Sequence, residues 1–467
     1  MGDEFSNAAT DELGVVAKTT VVVLGGGLAG MTAALRLAER GYGVTLVERR
    51  PYLGGRAYSF TDPETGAEID NGQHVFLGCC TAYVELLRGI GSLERTSTQR
   101  RLRIEVRGGN GSRGLLAGLP LPAPLHLLPS FARYPHIGWR DKLRAIPALL
   151  RIQRERDRNR ETLRRVSFGD WLRANGQSAR AIANFWELVA LPSLNDGVDD
   201  VSASMAFMLF QTALLTKADG ANVGFARAGL SDVMGTPITD RLRALGAEVV
   251  LRRTVEAIVV HEGRVDGIRL AGGETLACDA VVSALPPDVM LDLLPNDVRV
   301  SDAFAPAATH TWAPIVNLHV WYDRPVANFE FTAFVGSPVQ WVFNRTRIAD
   351  LAGPGEYLTV SLSGAWAYWP MTKEELRELF LPELARLLPA TAGATVERLV
   401  VVKEQRATFR SLPDGPVNRL GAATPVAGLV LAGDWTDTGW PATMEGAVRS
   451  GNAAADAVEL QLVRRES

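Results

Sequence analysis

An α/β fold is what this 467-residue sequence predicts, and three observations predict it. Residues 20–50, TVVVLGGGLAGMTAALRLAERGYGVTLVERR, read as strand, glycine turn, helix, second strand and acid. Residues 429–460 open as LVLAGDWTD, a short buried strand breaking at Gly433-Asp434, and run on as a helix from about Ala442. Between them, residues 246–286 alternate in glycine-punctuated runs that suggest a small antiparallel meander, followed by a strand at 280–284 returning to the parallel sheet. Together these give a Rossmann-type domain in three pieces, about 18–78, 220–290 and 420–460. The rest, 79–219 and 291–419, forms an α+β substrate domain that includes a helical cap.

The bulk numbers exclude several classes. Hydrophobic content of 47% and charged content of 22% are those of an ordinary globular protein. A net charge of -3 gives no reason to expect nucleic acid. No run has the apolar length of a spanning helix, and residues 1–17 are polar and acidic, a frayed tail rather than a secretory signal. Cys79, Cys80 and Cys278 cannot make a disulfide framework, so the expected compartment is the reducing cytoplasm. Metal-ligand spacings and nucleophile elbows are absent from the sequence, so no metal site is expected.

The first stretch carries the chemistry. Gly25 permits the tight turn, Gly27 lets a pyrophosphate approach the backbone, and Gly30 lets helix and sheet pack closely. Leu28 and Ala29 open the helix whose N-terminal N–H groups face the phosphates, and Glu48, followed by Arg49, stands where a carboxylate can accept ribose hydroxyls. GGNGSRG at 108–114 repeats the spacing, but the proline-rich LAGLPLPAPLHLLP follows it where a helix should be. That stretch reads as a loop or hairpin turn, and no second nucleotide domain is visible.

NAD and FAD share this fingerprint, so other residues must decide between them. Gly54-Gly55-Arg56 can bring backbone and a guanidinium to the pyrophosphate, and Asn71-Gly72-Gln73-His74 follow Asp70 in a polar turn. The combination resembles the amine oxidase and carotenoid desaturase group of flavoproteins, which implies FAD. The resemblance also implies that Val255 touches the adenine through its backbone. It places Gly433-Asp434 at the ribityl-pyrophosphate, and aims the helix starting near Ala442-Thr443-Met444 at the flavin N1/O2 edge. A positive helix end there favours the anionic reduced flavin.

Several longer stretches narrow the resemblance. DNGQHVFLG, ELVALPSLND, PIVNLHVWYDRPV, VQWVFNR and GDWTDTGWPATMEGAVRSG resemble the squalene-associated FAD-dependent desaturases, in order and spacing from about residue 20 to 458. That implies reductive dehydroxylation of a long apolar isoprenoid alcohol, with an electron donor that no motif identifies. Carotenoid-type desaturation, protoporphyrinogen-type oxidation and a non-catalytic prenyl carrier are the rival readings. A departing hydroxyl needs a general acid, for which His74 and then Asp196 are the candidates, and His74 fits equally a histidine that holds backbone. Aromatics in 309–326 and 339–346 suggest one wall of an apolar cavity. The arginine-rich helices of 140–185, preceded by apolar residues 115–131, fit either a solvated cap or a peripheral membrane contact.

Overall fold

A computed structural model describes residues 18–64, 66–156, 160–413 and 419–466. The expected tail, 1–17, lies outside the described residues, as does Asp157 of the cap. A five-stranded parallel sheet carries the N-terminal unit. Its strands are β1 (Thr20–Leu24), β2 (Gly43–Glu48), β3 (Glu248–Leu251), β4 (Ala280–Ser283) and β5 (Leu429–Leu431), in the spatial order β3-β2-β1-β4-β5. Alternation along β1 sends Val21 and Val23 to one face and Val22 and Leu24 to the other. The first face is covered by α1 (Leu28–Glu39) and the long C-terminal α2 (Met444–Glu466), the second by the meander Val255–His261, Arg264–Leu270 and Thr275–Ala277. Both faces of the central strands are covered, so their middles are apolar, and each fully buried leucine such as Leu46 stabilises by about 1.5–3 kcal/mol.

One strand differs from the sequence expectation. Residues 248–251 are not part of the meander: they pair in parallel with Thr45, Leu46, Val47 and Glu48 and form the sheet edge. Alternation alone cannot separate the two, because an edge strand and a meander strand are each half-buried.

The larger sheet has seven strands in the order Val396–Phe409, Trp312–Tyr322, Glu356–Leu362, Trp341–Asn344, Phe331–Val335, Arg103–Gly108 and Arg113–Ala117. Its last two strands form a hairpin whose turn is the glycine stretch 108–114, as the proline-rich sequel predicts. Below it Val316, Leu318 and Val320 pack with Leu376, Phe380 and Leu384 of the helix Lys373–Leu387. The other face carries Phe331, Trp341 and Phe343 into a cluster with Phe185 and Phe207 of the helical region and Phe225 of the strand Val223–Ala226. Helices Trp139–Arg154, Arg160–Arg164 and Phe168–Ala174 occupy the arginine-rich stretch in which the sequence places a helical cap. No described helix is long and apolar enough to cross a membrane.

Candidate functional site

Glycine geometry builds the first half of the site. A Cβ on Gly30 would stand 2.0 Å from the Gly25 carbonyl oxygen, and one on Gly26 would meet Leu53 at 2.4 Å, so the loop folds only with hydrogens there. Gly27 is different: a Cβ on it would find only the Gly55 Cα, at 3.8 Å. Close packing on one side and an open backbone at Gly27 make a cradle for an extended phosphate group. Leu28 and Ala29, both buried, begin α1 at that spot. Glu48, at the end of β2, is 9% exposed, and its carboxylate accepts N–H bonds from Gly26 at 2.7 Å and Arg50 at 2.8 Å. Those bonds fix the carboxylate beside the cradle, each oxygen keeping a lone pair for a ribose hydroxyl.

The second glycine pair locks onto the first. Gly27 and Gly54 form a parallel bridge, and Gly54 and Gly55 take φ of +130° and +62°, which β-carbons disfavour. Arg49 is exposed, whereas Arg50 reaches back to the Gly55 carbonyl at 2.9 Å and lies over the Tyr52 and Tyr58 rings. The sequence reading missed Arg50, whose only signal was its place beside two tyrosines. Val255 heads the meander, held near by Arg253 N–H, which donates to the Glu48 carbonyl at 3.1 Å.

Residues far apart in the chain close the other end. Arg56 donates to Asp434 at 2.6 Å and to the Ala407 carbonyl at 3.0 Å, joining the early Gly-Gly-Arg to the late Gly-Asp. Asp434 is 5% exposed and follows Gly433, whose φ of +136° ends β5. Beyond it Ala442 and Thr443 lead into α2 at Met444, with the Thr443 hydroxyl accepting from Gly446 N–H at 3.1 Å as an N-cap. A Cβ on Gly451 would be 2.5 Å from the Ala29 carbonyl oxygen, so α2 packs directly on α1 and sits beside the glycine loop. Arg419, also missed from the sequence, donates to the Trp440 carbonyl at 2.8 Å and pairs with Asp437 at 3.6 Å, bracing this turn. Its burial pulls its pKa below the usual arginine value, while Asp437 and Asp434 oppose the shift.

The polar turn lies between these anchors and the seven-stranded sheet. Asn71 donates to the Arg56 carbonyl at 2.9 Å, and a Cβ on Gly72 would be 2.6 Å from the Asn317 amide nitrogen. Gln73 donates to the His74 carbonyl at 3.1 Å, and its own Oε1 is buried without a partner. His74 Nδ1 lies 3.0 Å from the Gly72 carbonyl, so its ring braces the turn. Its edge keeps some accessible surface, yet the crowding of protein around it is the main cause lowering its pKa, with the Gly72 carbonyl opposing. Asp196 is 0% exposed and engaged at both oxygens, by Trp366 Nε1–H at 3.1 Å and by Arg410. Desolvation raises its pKa and Arg410 opposes that. Among the described residues no hydrogen bond joins Asp196 to His74. The structure therefore brings the glycine loop, Glu48, Gly-Gly-Arg, the polar turn and Gly433-Asp434 together, and leaves Asp196 in an ion-pair network of its own. Among the described residues no group of His, Cys, Asp or Glu could hold a metal ion.

The profile of the family described as flavin containing amine oxidoreductase matches residues 28–459. The chain belongs to that family. This flavoprotein is an FAD-dependent oxidoreductase, and the open Gly27 cradle, the fixed Glu48 carboxylate and the Arg56–Asp434 pair are a donor set that fits FAD. It is 32% identical to a hydroxysqualene dehydroxylase of Rhodopseudomonas palustris, over 94% of this chain and 98% of that one. The resemblance to the squalene-associated FAD-dependent desaturases is thereby borne out. A 15-cis-phytoene desaturase of Narcissus pseudonarcissus is 27% identical, over 96% of this chain and 81% of the relative. The fold is also that of a putrescine oxidase variant, with a TM-score of 0.76 at 19% identity over 95% and 99% of the two chains. Cyclohexylamine oxidase from Brevibacterium oxydans shares it, with a TM-score of 0.71 at 19% identity over 96% and 100%.

Proposed function

We propose that this flavoprotein removes the hydroxyl of hydroxysqualene to give squalene. The observation that carries the reading is the end-to-end match to the Rhodopseudomonas palustris hydroxysqualene dehydroxylase. In the net reaction a C–O bond breaks, the hydroxyl takes a proton and leaves as water, and a hydride forms the new C–H bond. FAD, when bound and reduced, supplies that hydride. Gly25, Gly27, Gly30 and Glu48 hold the nucleotide; Gly54, Gly55, Arg56, Gly433 and Asp434 hold the pyrophosphate and ribityl chain. The N-terminus of α2 favours negative charge on the reduced ring. The aromatic sheet face and the cap keep water from a carbocation-like centre that would otherwise be recaptured.

His74 is the first candidate to pass the proton. His74→Ala is expected to lower turnover while FAD stays bound; loss of FAD, or unchanged turnover, assigns the ring to holding the turn instead. The decisive experiment is anaerobic incubation of the reduced holoenzyme with hydroxysqualene and identification of the product. Squalene supports the reading, and its absence removes it. The match to phytoene desaturase favours one alternative, oxidation of a long polyene by the same site, which phytoene with an acceptor would test.

A peripheral position on the membrane accompanies this reading. Leu119, Leu125, Leu128, Trp139 and Leu143 are 44%, 51%, 46%, 67% and 58% exposed within one short segment. Arg133, Arg140 and Arg144 stand exposed among them, a pairing that suits an anionic lipid surface from which a water-insoluble substrate could enter.

A further inference from the structure

One strand of the large sheet carries buried polar groups that the mechanism above does not use. Along Trp312–Tyr322, Val316, Leu318 and Val320 point into the lower core, so Asn317 and His319 share the opposite face. Register places Ser361 opposite Asn317 and Thr359 opposite His319 on one side, and Trp341 and Phe343 opposite the same serine and threonine on the next strand. A polar patch therefore adjoins an aromatic one on a single buried surface.

Asn317 is 2% exposed and its Oδ1 has no hydrogen-bond partner; His319 is 1% exposed and its Nε2 has none. Leaving such groups unpaired in a buried surface is costly, so their persistence points to a ligand. Their donor and acceptor characters are set by their neighbours. The Tyr357 hydroxyl lies 2.6 Å from His319 Nδ1, and the Thr359 hydroxyl 3.3 Å from the same nitrogen. In the tautomer in which Tyr357 donates to Nδ1, the imidazole proton is on Nε2, a donor without an acceptor, beside Asn317 Oδ1, an acceptor without a donor. Two residues apart on one strand face, their Cα atoms are about 6–7 Å from each other, room for one oxygen between them. The pair stands beside the flavin site, because Asn317 touches Gly72 of the polar turn that is bonded to Arg56.

An alcohol is the ligand class that satisfies both atoms with one oxygen: its O–H donates to Asn317 and its lone pair accepts from His319. A hydrocarbon satisfies neither. We propose that Asn317 Oδ1 and His319 Nε2 form a hydroxyl-binding subsite that orients the alcohol end of a polyprenyl substrate, with the aromatic face of Trp341 and Phe343 receiving the chain. The proposal rests on the function proposed above. It makes Asn317 and His319 specificity-determining residues, and Tyr357 a positioning residue that sets the His319 tautomer.

The test compares binding of hydroxysqualene and of squalene to the oxidised holoenzyme, read as a perturbation of the flavin spectrum. Wild-type protein is expected to prefer the alcohol. Asn317→Leu and His319→Phe, made separately, are each expected to weaken alcohol binding about tenfold and leave hydrocarbon binding unchanged. Tyr357→Phe is expected to give a smaller loss of the same kind. Equal binding of both ligands by wild type, unaltered by the substitutions, overturns the subsite while leaving the polyprenyl reading intact. Loss of FAD from both Asn317→Leu and His319→Phe overturns it too, by assigning the orphan atoms to the cofactor. Binding of neither ligand by wild type removes the polyprenyl reading and the subsite with it.

Discussion

Two glycine loops in this chain share one spacing and end as opposite structures. In residues 25–30 three of the four glycines are pressed against something: Gly30 against the Gly25 carbonyl, Gly26 against Leu53, and Gly25 against Ala284, while Gly27 stays open. In residues 108–114 the central Gly111 faces open space and takes φ of +83° merely to reverse a hairpin between antiparallel strands. Crowding alone does not separate the two loops, since Gly109 and Gly114 would also strike neighbours, the Gly336 carbonyl oxygen at 2.6 Å and Pro135 at 2.8 Å. What separates them is the element that follows: a helix packed on the parallel sheet after the first, an antiparallel strand after the second. The same contrast separates the two halves of the molecule. On the proposed function the parallel sheet would present backbone to the cofactor, whereas the seven-stranded sheet would present side chains to the substrate.

Gly30→Ala breaks the first loop most severely. The added methyl meets a backbone oxygen that cannot move without dislodging α1, so a loss of about 3 kcal/mol or more is expected. Purified protein should lack flavin absorbance, and a yellow, fully loaded variant would show that the contact is not needed.

In the side-chain half, Glu187 tests whether stability can change without the cofactor leaving. Burial is the main cause pushing its carboxyl up to about 7, with Asp199, Asp196 and Asp200 adding to it and Val198 N–H opposing. The fold binds this proton more tightly than the unfolded chain does. Its contribution is therefore present at low pH and is lost as pH rises from the ordinary 4.5 through about 7. Glu187→Gln is expected to flatten that slope, a difference on the order of 2 kcal/mol at pH 8 against pH 5, with FAD content unchanged. Denaturant midpoints at the two pH values would show it, and equal slopes in both proteins would refute it.

The segment after the second loop offers a smaller effect. Trp139→Asp should reduce binding to anionic phospholipid vesicles about tenfold, since an exposed aromatic is removed and a negative charge is added. Sedimentation with vesicles measures this, and neutral-lipid vesicles should bind less. Cosedimentation equal to wild type would dismiss the docking surface. Smallest of all, Gly111→Ala has space for its methyl and bears only the cost of a positive φ, about 1 kcal/mol. Thermal melts should register that loss with the flavin spectrum untouched; loss of flavin would erase the distinction between the two loops.

How far each residue was legible follows from the range of its contacts. Gly25, Gly27, Gly30 and Glu48 sit in one continuous strand–helix–strand unit, so spacing alone exposes them. Gly-Gly-Arg and Gly-Asp are visible as motifs, and the family resemblance implies one site for both; their direct ion pair is not visible, because Arg56 and Asp434 are 378 positions apart and only the folded sheet joins them. Arg50 and Arg419 carry no pattern at all: each is recognised by the carbonyl it reaches. Asp196 shows the converse, a residue conspicuous in sequence whose oxygens the structure gives to Trp366 and Arg410. Residues 248–251 show it for an element, since a half-buried strand looks the same at a parallel edge and in a meander.

The sequence by itself determined the parallel sheet, the crowded glycine turn, the acid that ends the second strand and the false second fingerprint, because backbone turns and alternation are local and each is written in a few consecutive residues. Only the tertiary structure decided which distant groups share a site. It set Asn317 against Gly72, turned His319 toward Tyr357 and left Asn317 Oδ1 and His319 Nε2 buried without partners. An unmade hydrogen bond is a property of three-dimensional packing, and no stretch of sequence can display it.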